Sequence, residues 1–176
     1  MVADLWETMA VDAAAESSLW GDCLLPEPDR DHNPVFSSLG EARYALGLET
    51  IYEGYLVHYG RPRLFAPADD DTALLLGDYL YAHGVARISA LHDVAAVADL
   101  SELISLCSQV RAEETDGEGS LWAATAALLG HGALDEPRTA LRLHSDPAPL
   151  DRIARETVGD DAVDSALAAH AARRVS

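Results

Sequence analysis

Leu74-Leu75-Leu76-Gly77-Asp78-Tyr79-Leu80 reads as the inside of a helix with two residues out of place. Glycine lowers helix stability and aspartate is costly to bury unpaired, so something specific must hold Gly77-Asp78 there. Seventeen positions before Gly77 begins Gly60-Arg61-Pro62, a triplet that ends a helix and opens a turn. Between the two lies Asp69-Asp70-Asp71, an N-cap followed by first-turn acids. The helix that starts there runs to about Leu91. It is apolar nearly all round, which predicts a central position in the fold.

Upstream, Ser38 and Glu41 form a capping-box pattern that predicts the start of another helix. Leu48, Ile51, Tyr52, Tyr55, Leu56 and Tyr59 then recur at helical spacing. A first helix is expected from Ala3 to about Leu19, with Leu5, Trp6 and Met9 on one face. Residues 21–37 hold Pro26, Pro28 and Pro34 with acids between them and read as a flexible loop. Downstream, Asp93 is expected to cap a helix whose Val97, Leu100, Ile104 and Cys107 face inward. Leu121 to Leu129 is a further helix, closed by Gly130-His131-Gly132. Shorter helices follow around Pro137 to Leu143 and Leu150 to Val158, and the last spans Asp160 to Arg174. No run of alternating β-branched residues occurs. The expected fold is all-α, a single helical domain over 1–176.

The chain carries 30 acids against 12 bases, a net charge of −18. Such a field repels phosphate backbones and anionic lipid, which argues against nucleic-acid and membrane-surface partners. It also repels a free diphosphate unless metal ions or a local basic patch intervene. Cys23 and Cys107 make no disulfide framework, and Cys107 reads as a small core residue. Met1 to Met9 has acids and no basic region, unlike a signal peptide, and no apolar run reaches bilayer length. A soluble, cytoplasmic protein is expected.

The Gly60-Arg61-Pro62 and Leu-x-Gly-Asp-x-Leu pair, at this spacing, resembles the trans-prenyl diphosphate synthase (polyprenyl synthetase) family. The likeness extends over 48–130, close to half the chain. Leu48 through His58 is similar to the family helix that ends in a His before the first aspartate-rich motif. Gly119-Ser120-Leu121-Trp122 is similar to the family's Lys-Thr-Gly-x-Leu-Phe helix start, with Gly117 and Glu118 where Lys and Thr would stand. In the family, Asp-Asp-x-x-Asp and an Arg pair separate the His from Gly-Arg-Pro. Here only Tyr59 does. A second alignment, without a gap, puts Glu49 and Glu53 at the motif's outer acids. The N-terminal Gly-Gly-Lys-Arg-x-Arg-Pro motif and the C-terminal half with its second Asp-Asp-x-x-Asp have no counterpart.

The resemblance implies a truncated isoprenoid-synthase-type helical bundle from which the metal-dependent chemistry has gone. The family reaction ionises an allylic diphosphate with magnesium held between two carboxylate clusters. Gly60, Arg61, Pro62, Gly77 and Asp78 are then retained structural signatures, and no catalytic residue is assigned. Arg61 and Arg63 are the candidates for anion binding. Asp160, Asp161 and Asp164 form one literal Asp-Asp-x-x-Asp, with Asp160 and Asp164 one turn apart and able to share a metal. The competing reading makes them first-turn acids after Gly159, favoured by the helix dipole. No cofactor is expected, and magnesium enters only if the chain is an enzyme. The tyrosines at 52, 55, 59, 79 and 81 read as helix-packing residues, or else as a partner surface or the wall of an apolar cavity.

Three functional readings follow. The first is a non-catalytic, synthase-like protein acting as a regulatory or stabilising subunit of a heteromeric prenyl synthase, with the catalytic subunit as partner. A homodimer through apolar helices is the other assembly expected. The second is a stand-alone helical binding or scaffold protein, in one version with an apolar lipid cavity. The third is an active prenyltransferase using Glu49, Glu53 or the Asp160 group as metal ligands.

Overall fold

A computed structural model describes residues 4–174 and contains nine α-helices and no strand among them. They are α1 (Leu5–Glu16), α2 (Ser18–Asp22), α3 (Ala45–Tyr59), α4 (Asp70–Ser89), α5 (Val94–Ala112), α6 (Glu118–Ala127), α7 (Asp135–His144), α8 (Ala148–Val158) and α9 (Asp160–Ala171). The all-α expectation holds. Asp69 and Asp93 cap α4 and α5 as predicted, accepting from Thr72 N at 2.8 Å and Ala96 N at 2.9 Å. The Ser38–Glu41 box does not form. That segment winds through two short 3₁₀ turns, and α3 starts at Ala45 with no side-chain cap. Glu41 pairs instead with Arg43 at 2.9 Å. The first predicted helix breaks at Ser17, whose side chain accepts from Leu19 N and opens α2.

The central helix is α3, not α4. Every residue from Gly47 to Val57 is buried, whereas Leu74 and Leu75 on α4 are 56% and 57% exposed. An apolar helix need not be enclosed if neighbours cover only one of its faces. Two clusters make the core. The larger joins α3, α5, α6, α8 and α9 around Tyr52, Leu103, Trp122 and Leu150. The smaller packs Trp6 and Met9 of α1 with Val57, Phe65, Leu76 and Leu80. Residues 21–37, expected to be flexible, are irregular but tied down. Leu25 N donates to Leu64 O, Asp31 N to Arg63 O and Ala66 N to Cys23 O. Val35 and Phe36 then plug the core, which is why a Pro-rich stretch is held in place.

Helices α3 and α4 run antiparallel along a seam of glycines, Gly47 and Gly54 facing Gly84 and Gly77. A Cβ at Gly84 would stand 2.8 Å from Gly47 O and against the Ile51 side chain. A Cβ at Gly54 would stand 3.0 Å from Gly77 O. Backbone cannot yield as a side chain can, so Gly84→Ala should push the helices apart. Overpacking costs about 1–3 kcal/mol, offset by up to about 1 kcal/mol of helix propensity. The expected net loss is about 1–2 kcal/mol in urea unfolding. A stabilised Gly84→Ala variant would contradict the close-packed seam.

Candidate functional site

The chemically richest place is the buried face of α3. Glu49 and Glu53 lie one turn apart, so both carboxylates point the same way, into the segments 33–37 and 63–64. Gly60-Arg61-Pro62 turns the chain back so that Arg63 enters between them. Arg63 Nη1 meets Glu49 Oε2 at 2.5 Å and Nε meets Glu53 Oε2 at 2.9 Å, all three side chains being inaccessible to solvent. Glu49 Oε1 also accepts from Val35 N and Ser37 N, at 3.1 and 3.0 Å. Glu53 Oε1 accepts from Arg63 N and Leu64 N, at 2.7 and 2.8 Å. The guanidinium donates further to Asn33 O and Glu49 O, and its plane lies over Trp6 and Tyr52. Burial alone would lower the Arg63 pKa, but the two carboxylates outweigh it and hold the group above its ordinary value.

This donor set does not fit magnesium. The ion needs near-octahedral oxygen ligands and keeps several waters, whereas every carboxylate oxygen of this pair is already taken by a guanidinium or a backbone N–H. Asp160 and Asp164 are drawn to Arg155 instead, at 3.5 and 2.8 Å, while Asp161 is exposed. Hydrogen bonds donated to Asp151 and Asp164 raise the Arg155 pKa. Among the described residues no group of three or more His, Cys, Asp or Glu side chains could hold a metal. The anion-binding candidates fare no better. Arg63 is neutralised by two acids, and Arg61 donates to Ala172 O at the end of α9.

Gly77 and Asp78 part company. Gly77 is buried against the His58 ring, which a Cβ would strike. Asp78, expected to be buried, has a 67% exposed side chain and meets His58 Nε2 at 3.3 Å. Burial lowers the His58 pKa against the pull of Asp78. The signature is thus a helix seam beside a solvent-facing carboxylate. The opposite side of Asp78 opens on a groove of ≈ 610 Å³ between α4 and α5, floored by Ala82 and Ala86 and walled by Tyr81, Val85, Val97 and Ile104.

Two further buried pairs had no clear sign in the sequence. Arg138 Nη1 meets Asp99 Oδ1 at 2.7 Å, and Gly130 N donates to Asp99 Oδ2. Arg111 bridges the buried Glu118, at 2.6 Å, and Tyr55 Oη, at 2.9 Å.

His170 closes the aromatic core. Its Nδ1 lies 2.9 Å from Tyr52 Oη, and Phe36, Tyr55 and Tyr52 rings surround it. Either tautomer leaves the buried Nε2 without a partner among the described residues. Burial, with Arg174 and Arg111 nearby, lowers its pKa to about 4. Between pH 4 and 6.5 the unfolded chain therefore binds more protons at this residue than the folded one. Its contribution is complete above the unfolded pKa near 6.5 and is lost as pH falls towards 4, by up to about 3 kcal/mol. His170→Phe should remove that slope. Urea unfolding of both proteins from pH 7 to 4 should show the wild type losing stability relative to the variant, and parallel curves would refute the assignment.

Comparison with protein-family models, curated proteins and solved structures finds no match to this chain.

Proposed function

We propose that the chain is a non-catalytic, polyprenyl diphosphate synthase-like protein that serves as a regulatory or stabilising subunit of a heteromeric prenyl synthase. The observation that carries this reading is the closure of Glu49 and Glu53 by Arg63. A helix pair with family-like signatures is kept, while the acid pair on it is neutralised from within by a guanidinium. That supports a scaffold role over metal-dependent ionisation of a diphosphate. Asp160 and Asp164, the other acids of the active-enzyme reading, are likewise engaged by an arginine, Arg155.

The test mixes the purified chain with allylic and isopentenyl diphosphates and magnesium, alone and with a catalytic prenyl diphosphate synthase. The expected result is no product alone and an altered product length or thermal stability of the synthase in the mixture. Turnover by the chain alone, or a synthase indifferent to it, would sink the reading. The open groove between α4 and α5 favours a second reading, a stand-alone helical binding protein. Under that reading the chain binds a partner and the synthase is unaffected.

A further inference from the structure

The outward face of α4 is an exposed stripe at helical spacing: Asp71, Leu74, Leu75, Asp78, Ala82 and Ala86. Leu74 and Leu75 project at one end, and Ala82 and Ala86 floor the groove at the other. Val94, at the start of α5 beyond the far end of the groove, is 82% exposed. Exposed leucines beside an apolar groove on one helix face, with Asp71 and Asp78 among them, have the make-up of an interaction site.

The charge of the chain says what covers it. All 12 basic residues are arginine, and among the described residues each except Arg152 gives a hydrogen bond or ion pair. The cations are largely spent internally, and the acid excess faces outward. At the groove, His58 is the one ion-pair partner of Asp78 among the described residues, and burial disfavours the charged form of that imidazole. A second copy of this chain laid stripe on stripe would bring Asp71 and Asp78 against the same acids, with no arginine on that face to meet them. Like charges brought together at an interface are unfavourable.

We propose that this groove docks a helix of a partner protein whose apolar ridge fills the Ala82–Ala86 floor and whose flanking Lys or Arg side chains meet Asp71 and Asp78. The proposal deepens the subunit reading above and rests on it for the partner being a protein. Large ridge side chains against small floor residues supply the packing, and the flanking cations set the register.

The test uses three synthetic helical peptides and fluorescence anisotropy. One has a leucine stripe flanked by lysines, one the same stripe flanked by glutamates, and one the lysine composition scrambled so that no stripe remains. The lysine-flanked stripe should bind the wild type, and the other two should bind at least about tenfold more weakly. Ala82→Trp, which fills the floor from an exposed position, and Asp78→Lys should each weaken it by about tenfold with the helical circular dichroism unchanged. Equal binding of the scrambled peptide, or no effect of Ala82→Trp, would overturn the proposal. So would a wild-type dimer in sedimentation that Ala82→Trp dissociates, since the occupant would then be a second copy. A synthase that responds equally to wild type and Ala82→Trp would overturn the groove and spare the subunit reading. Peptide docking without any effect on a synthase would do the reverse.

Discussion

Arg63→Ala is expected to cost about 3–5 kcal/mol, because it leaves two carboxylates buried without their cation. Glu49 and Glu53 are both fully enclosed, so water cannot take over the role of the guanidinium. In a chain of this size the loss corresponds to a fall in Tm of roughly 6–20 °C. Arg63→Lys keeps the charge but not the fork that reaches Glu49, Glu53 and two carbonyls together, and should recover only part of the loss. Combining Arg63→Met with Glu49→Gln and Glu53→Gln removes charge from the site altogether. That triple variant should be more stable than Arg63→Ala, since the penalty comes from the unpaired acids and not from the missing arginine. Thermal unfolding of the three proteins checks the order. An Arg63→Ala variant melting with the wild type would mean that the pair is not buried as described.

Trp122→Ala should be comparably damaging. Trp122 is 1% exposed and is the hub of the aromatic core. Its ring stacks on Phe36 at 5.6 Å and meets Tyr52 and Tyr55 edge-on at 5.0 and 5.6 Å. Removing an indole from such a place costs about 3–5 kcal/mol, part transfer and part residual cavity. The variant also has a second signature. A hole beside Phe36, Tyr52 and Tyr55 weakens the desolvation that holds His170 down, so the imidazole should titrate closer to its ordinary value. The pH dependence of stability between 4 and 6.5 should flatten in Trp122→Ala as well as drop. Proton NMR of the imidazole C–H signals reads that shift directly. A His170 pKa unmoved by the substitution would place its cause elsewhere.

Helix positions and caps were legible in the sequence where their determinants are local. Asp69 and Asp93 bond amides three residues on, so the pattern and the structure coincide. The Ser38–Glu41 box failed because Val35, Phe36 and Leu39 are pulled into the core, and that anchoring sets the local backbone. The central place of α3 was obscured by its own acids. The sequence offered Glu49 and Glu53 only as the outer acids of a metal motif, whereas their partner, Arg63, is brought round by the Gly60–Pro62 turn. The spacing of the two acids was visible, while the identity of their counter-ion depended on a tertiary contact. The glycine seam had a readable sign in Gly47 and Gly54, and in Gly77 and Gly84, each pair seven residues apart. The depth of Asp78 was misjudged because an all-apolar helix leaves open which side its neighbours cover.

The Arg63 clasp also bears on how the chain folds. Its strongest links span only ten to fourteen residues, joining α3 to the turn that follows it. The glycine seam then lays α4 back along α3, the next helix in the chain. Such short sequence separations lower the entropy of closure and favour early formation. Helices α3 and α4 with their turn are therefore expected to behave as one cooperative unit. In native-state hydrogen exchange their amides should open together and last, while those of α7 exchange sooner.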